Sequence, residues 1–280
     1  MYDIEYFKSI QSNSETSSTS GEASLFSRNL IIFDFDDTIF CTKYFDTFSL
    51  PYKDIFSNKM TLGDINPDLI KELNQLENTI IDSFSNLKQS CDIVIISNAG
   101  MKWIDNCLTF FLEELKEYIS ENDIKIYSAK DMYNKLVKNK NLWKIKCFKK
   151  VINDLYKHDL SYNDLNVISI GDGNEEKKAV FSLTKVDKFH RINPKFIHTI
   201  SFPTSMSIIL QMKYLNNNLT NMIYDNSSIF KLGINFINNK AEINCKSVNS
   251  KKNKCEDTNS IDYLIKNDLD EKIVSFNKSI

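Results

Sequence analysis

Short apolar segments alternate with longer segments of helical periodicity along most of this chain, and this alternation constrains its fold more than any other feature. Segments of strand length occur at 29–35, 93–96, 124–127, 167–170 and 197–202. Apolar residues spaced three and four positions apart predict helices between and after them, at 67–89, 102–119, 142–155 and 203–215. Strands that are apolar at consecutive positions are typical of sheets covered on both faces.

We therefore expect an α/β protein with a doubly wound, Rossmann-like parallel sheet and helices on both faces. The pattern predicts one such domain over 29–227, with a minimal cap. It breaks in 228–280, which we expect to form an irregular, partly disordered extension. Within this extension the pattern predicts a hairpin that turns at 238–239, a mobile lysine-rich stretch at 244–260 and a short terminal helix.

The composition is ordinary for a globular protein and excludes several classes. Acidic residues number 37 and basic residues 35, and this balance argues against a nucleic-acid partner. No apolar run reaches the length of about 18 residues that a membrane span needs, and the N-terminus has no apolar signal-peptide core. The six cysteines show no zinc-binding spacing. We expect a cytoplasmic protein with a flexible serine-rich leader at 1–28, and we leave a nuclear location and the oligomeric state open.

Polar residues follow three of the predicted strands at their carboxyl ends. Asp34 and Asp36 follow the first strand, Ser97 the second and Asp172 the fourth. Ligands of open parallel sheets bind beyond the carboxyl ends of the strands, so we expect these side chains to share one site.

The two carboxylates at 34 and 36 lie on one face of an extended chain. Such a pair either binds a hard cation or divides into a nucleophile and an acid–base group. A calcium-binding loop starting at Asp34 requires glycine at its sixth position and glutamate at its twelfth. Those positions hold Ile39 and Phe45, which excludes that type of calcium site.

Glycine is rare in this chain, and half of it falls in the predicted site turns. Gly100, Gly171 and Gly173 are three of only six glycines. A glycine allows the backbone to approach another group closely. The Gly171-Asp172-Gly173 turn therefore supplies another carboxylate at a place where the backbone must come close to another group.

These motifs together resemble the haloacid dehalogenase-like superfamily, in its phosphatase branch, over about 29–202. The first motif of that family is an apolar strand followed by D-x-D-x-T, which matches 34–38. The second is a strand ending in serine or threonine, which matches Ser97. The third is a lysine, for which Lys144 is the best candidate. The fourth is a strand followed by G-D-x-x-x-D, which matches 171–176 with glutamate in the last position.

The resemblance implies a magnesium-dependent phosphomonoester hydrolase. Asp34 would attack phosphorus and form an aspartyl phosphate. Asp36 would protonate the leaving oxygen and then activate water. Magnesium would lie between the Asp34 carboxylate, the backbone carbonyl of Asp36 and Asp172. A phosphotransferase of the same fold and a non-catalytic scaffold remain the alternatives.

The resemblance also assigns residues that bind the phosphate and support the metal. The phosphate-binding residues are Ser97, Asn98 and Lys144. The supporting residues are Thr38, Glu175 and Glu176. Four other lysines compete with Lys144 for its role, namely Lys130, Lys135, Lys140 and Lys146.

The substrate is expected to be a phosphorylated small molecule or a phosphoprotein. The intervals between the motifs are too short for a large lid, so the site is expected to be open. Several aromatic residues lie between 40 and 60, and we expect them to pack in a small cap rather than to touch substrate.

Overall fold

A computed structural model describes residues 28–156, 164–186, 189–237 and 240–248. The expected leader, all but residue 28, and the expected terminal helix lie outside these ranges. No helix in the described part of the chain has both the length and the apolar character that crossing a lipid bilayer requires.

In the described ranges, seven strands form a single sheet. They are β1 Arg28–Phe33, β2 Asp92–Ser97, β3 Lys125–Ser128, β4 Leu165–Gly171, β5 Ile192–His198, β6 Ile229–Ile237 and β7 Lys240–Val248. The spatial order is β3-β2-β1-β4-β5-β6-β7. All neighbours are parallel except β6 and β7, which are antiparallel.

Ten α-helices accompany these strands in the described ranges. They are α1 Thr42–Thr47, α2 Tyr52–Ile55, α3 Leu62–Ile65, α4 Pro67–Leu87, α5 Met101–Phe111, α6 Glu113–Glu121, α7 Ala129–Tyr133, α8 Trp143–Tyr156, α9 Asn174–Phe181 and α10 Ser205–Tyr224. Together with the sheet they confirm the doubly wound, Rossmann-like α/β fold.

Each face of the sheet is covered by its own hydrophobic core. Along β1, Ile31 and Phe33 belong to one core and Leu30 and Ile32 to the other, because successive side chains of a strand point to opposite faces. Helices α4, α5, α6 and α10 cover the first face, and α8 and α9 cover the second. The consecutive apolar residues of β1 are thereby explained.

Helix α4 illustrates how local sequence signals define an element. Asn66 caps it by accepting a hydrogen bond from the Asp68 amide at 3.0 Å, and Pro67 occupies its first position, where proline is favoured. The residues at helical spacing that were expected to face the core are all buried: Leu69, Leu73, Leu76, Ile80, Phe84 and Leu87.

The single helix expected over 102–119 is instead two helices, so this prediction was wrong in one detail. Leu112 leaves the helical conformation, with φ −142° and ψ 57°. The buried carboxylate of Glu77 on α4 accepts a hydrogen bond from the Leu115 amide at 2.9 Å and so satisfies a donor in the first turn of α6. The apolar spacing continues across the break, from Phe111 to Leu115, so it did not reveal it.

The fifth strand was expected at 197–202 but occupies Ile192–His198. The observed strand contains Pro194, which cannot donate to a sheet ladder. In the structure the Phe196 amide donates to the Ser228 carbonyl at 2.9 Å, and Phe196 pairs with Ile229, the first residue of β6. Pro194 lies two residues earlier, where this side of β5 has no neighbouring strand yet.

The two strands of the expected hairpin pair and extend the sheet, and the expected turn at 238–239 lies outside the described residues. Strand β6 pairs in parallel with β5, and β7 forms the edge. The sheet thus continues beyond residue 227. Strand β7 includes 244–248, the start of the stretch that was expected to be mobile.

We predict that Phe84→Ala lowers the free energy of unfolding by about 3–5 kcal/mol, because it removes a fully buried ring. The centroids of the Phe84 and Phe33 rings lie 5.0 Å apart, so the cavity left by the substitution would lie directly against β1. Urea unfolding followed by circular dichroism measures the change.

Asp82→Ala on the same helix is the matched control, because Asp82 is exposed. It is expected to change stability by less than about 0.5 kcal/mol. Equal effects of the two substitutions would show that α4 does not pack on the sheet through Phe84.

Candidate functional site

Asp34 lies at the topological switch point of the sheet, where the order of the strands reverses. The chain runs from β1 outward through β2 and β3, then returns to place β4 on the other side of β1, and ligands bind at such a switch point. The Asp34 amide donates to the Ile170 carbonyl of β4 at 2.9 Å. Its buried carboxylate accepts a hydrogen bond from the Phe35 amide at 2.8 Å.

A tight loop after Asp34 turns Asp36 toward β2. The Phe35 carbonyl accepts hydrogen bonds from the amides of Ile39 and Phe40, at 2.9 and 3.0 Å. Asp37 adopts a left-handed conformation, with φ 55°, which is uncommon for a residue other than glycine. The loop is thereby closed on itself, and α1 follows it directly.

Three donors from three different segments hold the Asp36 carboxylate. Its Oδ1 accepts hydrogen bonds from Thr42 Oγ1 at 2.6 Å and from the Trp103 indole at 2.9 Å. Its Oδ2 accepts one from Ser97 Oγ at 3.3 Å. Asp36 is therefore oriented by α1, α5 and the end of β2 together.

Ser97 and Asn98 end β2 beside this carboxylate. Ser97 is buried, and its Oγ also accepts a hydrogen bond from the Ala99 amide at 3.0 Å. The Asn98 Oδ1 atom is buried without a hydrogen-bond partner. Both residues thus lie at the carboxyl end of β2, which is the position that the sequence pattern predicted.

Lys144 reaches Asp34 from the first turn of α8. This helix covers the face of the sheet opposite to α5, the helix that carries Trp103. Its buried ammonium contacts Asp34 Oδ1 at 2.7 Å and also forms an ion pair with Glu176 Oε1. The four competing lysines are exposed. The structure thus selects Lys144 as the lysine nearest the candidate nucleophile.

Burial and charge act against each other in this group of three side chains. Burial raises the pKa of Asp34, the Lys144 ammonium lowers it and Glu176 raises it, with a net pKa well above the usual range. Burial also raises the pKa of Glu176, but Lys144 outweighs it and the net pKa is lowered. Burial lowers the pKa of Lys144, and the two carboxylates reverse this, so its pKa is raised.

Side chains pass close to the backbone at both glycines of the turn after β4. A Cβ at Gly171 would lie 2.7 Å from Glu176 Cγ and 3.3 Å from Asp34 Cβ. A Cβ at Gly173 would lie 2.5 Å from Glu176 Oε2 and 3.0 Å from Glu175 Oε2. Of the two glutamates, Glu176 is the one that is buried against Lys144, whereas Glu175 is half-buried.

Asp172 is paired with Lys43, a residue that the sequence analysis did not select. Lys43 Nζ lies 3.2 Å from Asp172 Oδ2 and 2.8 Å from Asp37 Oδ2. Burial raises the pKa of Asp172, and Lys43 counteracts part of that rise. His198 Nε2 lies 3.0 Å from the Asp172 carbonyl oxygen and fixes the backbone of the turn.

The predicted residues fall into neighbouring groups rather than one cluster. Asp34, Lys144 and Glu176 form the first, Asp36 and Ser97 the second, and Asp172 the third. Thr38 is buried, and its hydroxyl has no hydrogen-bond partner.

The contacts of Thr42, Lys43 and Trp103 were missed because no spacing rule connects them to the motifs. Thr42 and Lys43 reach the site because the loop after Asp34 closes and begins α1 there. Trp103 reaches it from the first turn of α5, the helix that follows β2. Their positions just after two of the predicted motifs are the one signal that could have drawn attention to them.

The donor set suits a small hard cation. Asp34 and Asp172 supply carboxylate oxygens, and Glu176 Oε2 is a buried carboxylate oxygen with no hydrogen-bond donor. Among the described residues, no three histidine, cysteine or acidic side chains are grouped as an all-side-chain metal centre. Magnesium is usually held by one or two carboxylates together with water and substrate phosphate, so the residues present fit magnesium.

Comparisons with protein-family models, with curated proteins and with solved structures found no match to this chain.

We predict that Lys144→Met lowers the free energy of unfolding by about 3–5 kcal/mol at neutral pH, because it leaves two buried carboxylates without their cation. In the wild type, the lowered pKa of Glu176 stabilises the folded protein at pH values above about 4.3, the ordinary pKa of a glutamate. This stabilisation is lost as the pH falls through the lowered pKa. In the variant both carboxyls have raised pKa values, and their penalty vanishes as acid protonates them.

The difference between the two proteins is therefore expected to be largest near pH 7 and to shrink toward pH 4. Urea unfolding at several pH values measures it. Lys146→Met is the control, since Lys146 is exposed on the same helix. A pH-independent difference would contradict the charge argument and indicate a packing effect.

Proposed function

We propose that this chain is a magnesium-dependent phosphomonoester hydrolase that acts through an aspartyl phosphate, as members of the haloacid dehalogenase-like superfamily do. One observation carries the proposal. The Asp34 carboxylate lies at the carboxyl end of β1, 2.7 Å from a buried lysine, with polar residues from the ends of β2 and β4 around it.

Asp34 is assigned as the nucleophile. Its Oδ1 carries both the Lys144 contact and the hydrogen bond from the Phe35 amide, so we assign Oδ2 to attack phosphorus. The P–O bond to the leaving alcohol breaks as the bond to Oδ2 forms, and the product is an aspartyl phosphate. Lys144, paired with Glu176, holds the attacking carboxyl group in place and keeps a positive charge beside it.

Asp36 is assigned as the acid and base. Its three hydrogen bonds orient the carboxyl group without any contribution from the substrate. It gives a proton to the leaving oxygen in the first step. In the second step it takes a proton from water, which attacks phosphorus and releases inorganic phosphate and the Asp34 carboxylate.

Donors for the phosphoryl oxygens come from both sides of Asp34. Lys144 supplies a positive charge, and Ser97 supplies a hydroxyl at the end of β2. Preorganised donors of this kind commonly contribute about 3–4 kcal/mol each to transition-state stabilisation.

We assign magnesium to the Asp34 carboxylate, the Asp36 backbone carbonyl and Asp172. When bound, it offsets the negative charges of nucleophile and phosphate, which also lowers the pKa of Asp34. This matters because burial alone favours the protonated, unreactive form of that carboxyl group.

The substrate is proposed to be a small phosphomonoester or a phosphoprotein, because the small helices after the first motif pack inward. The rings of Phe40, Phe45, Tyr52 and Phe56 all contact the Phe111 ring, with centroids 5.5–6.4 Å apart. These aromatic residues thus form a core between α1, α2 and α5. A bulky leaving group is compatible with this arrangement.

The cysteines favour a reducing compartment, and we propose a cytoplasmic location on that basis. The five cysteines in the described ranges are free thiols, and four of them are buried. Burial raises the pKa of the Cys41 thiol to about 12, so it is an inert structural group beside the site.

We predict that the purified protein hydrolyses p-nitrophenyl phosphate in a magnesium-dependent manner and that Asp34→Asn lowers kcat by about 10³-fold or more. Acid quenching during turnover is expected to trap one phosphoryl group on the wild-type chain, detected by intact mass. The variant is expected to show none.

Asp82→Asn is the control for this substitution, because Asp82 is exposed on α4, away from the switch point. Full activity of Asp34→Asn would contradict the assignment. Absence of wild-type turnover across a broad panel of phosphoesters would favour a non-catalytic scaffold, and transfer to an added alcohol in preference to water would favour a phosphotransferase.

We predict that Asp36→Asn impairs substrates according to their leaving groups. An alkyl phosphate requires protonation of its leaving oxygen, so its turnover is expected to fall by about 10²–10⁴-fold. p-Nitrophenolate is a stable anion, so formation of the intermediate from the aryl ester is expected to fall much less. Burst kinetics with both substrates measure this, and equal losses would contradict the acid role.

A further inference from the structure

Lys43 places a positive charge on one of the proposed magnesium ligands. Its ammonium contacts Asp172 Oδ2 at 3.2 Å and Asp37 Oδ2 at 2.8 Å. The Lys43 amide also donates to Asp37 Oδ1 at 3.0 Å. The side chain is therefore anchored at Asp37 and bridges from there to Asp172, across the end of β4.

Two residues that contact Lys43, Asp37 and Phe202, have a left-handed backbone conformation. Asp37 has φ 55° and Phe202 has φ 57°, and the Phe202 ring lies 4.5 Å from Lys43 Nζ. Left-handed conformations are unfavourable for residues with a side chain and tend to persist at functional sites. Phe202 is also 57% exposed, so hydrophobic burial does not account for its placement. The shared feature of the two residues is their contact with Lys43.

An ammonium group and a divalent cation cannot use the same carboxylate oxygens without repelling each other. Lys43 can release Asp172 and still keep its contacts with Asp37 and with the Phe202 ring. The free energy needed to break the contact between Lys43 and Asp172 therefore lowers the affinity of the site for a cation.

We propose that Lys43 is an internal competitor for the magnesium site, which occupies Asp172 in the metal-free protein and lowers the affinity for the ion. The inference rests on the proposed function, because that function makes Asp172 a metal ligand. The Asp37–Phe202 pair holds the displaced ammonium near the site, so the competition is reversible.

The test is a direct measurement of magnesium binding to the full-length protein by isothermal titration calorimetry. Lys43→Met keeps the length of the side chain and removes its charge. It is expected to lower the magnesium dissociation constant about tenfold, which corresponds to about 1.4 kcal/mol. Fluorescence of Trp103, which donates to Asp36, gives a second readout that does not depend on activity.

Two further variants separate competition at the contact from other effects. Lys53→Met removes an exposed charge from the neighbouring helix α2 and is expected to leave the dissociation constant unchanged. The double variant Lys43→Met/Asp37→Asn removes the buried carboxylate that the single variant leaves without its ammonium. It is expected to bind magnesium as tightly as Lys43→Met, with circular dichroism confirming that both are folded.

Salt distinguishes the proposal from a general electrostatic effect. Long-range repulsion is screened at high ionic strength, so a difference that persists in about 0.5 M potassium chloride supports displacement at the contact. A difference that disappears there, or an equal change in Lys53→Met, overturns the proposal.

The outcomes also separate this inference from the proposed function. Magnesium-dependent turnover with an unchanged dissociation constant in Lys43→Met overturns the competitor role and leaves the phosphatase assignment intact. Absence of magnesium binding to both proteins overturns the two together.

Discussion

The buried ion group of Asp34, Lys144 and Glu176 is the interaction on which the arrangement of this site depends. It joins the end of β1 to α8 and α9, so this strand is tied to two helices through charge as well as through packing. A buried charge is costly unless it is paired, and here one ammonium serves two carboxylates. The glycine at 171 is required by the same contact, because Asp34 and Glu176 pass over it.

The two lysines of the candidate site, Lys144 and Lys43, differ in burial, and we infer a rigid part around Lys144 and an adaptable part around Lys43. Lys144 is buried between Asp34 and Glu176 and holds the Asp34 carboxyl group in place. Lys43 is half-exposed and approaches the same edge from the solvent side, where it contacts Asp172. The rigid part suits the proposed positioning of a nucleophile, and the adaptable part suits the proposed exchange of one cation for another. Neither role requires a large lid.

The fold was largely predictable because both of its signals are local. Runs of apolar residues predicted the parallel strands, and helical spacing with an asparagine cap predicted α4. The break between α5 and α6 and the early start of β5 depend on contacts that spacing conceals. The break at Leu112 preserves the apolar periodicity, and it is accompanied by a hydrogen bond from the Leu115 amide to the distant carboxylate of Glu77. The early start of β5 is compatible with Pro194 because β6 begins later along the sheet.

For the candidate site, the amino-acid sequence alone determined which polar residues end the strands, since strand ends follow from the pattern of apolar residues. It placed Asp34, Asp36, Ser97 and Asp172 at one edge of the sheet. Only the tertiary structure decided which cation each carboxylate meets. A lysine side chain is long and flexible, so its contacts depend on how helices pack across the sheet, and residue spacing carries no information about that packing.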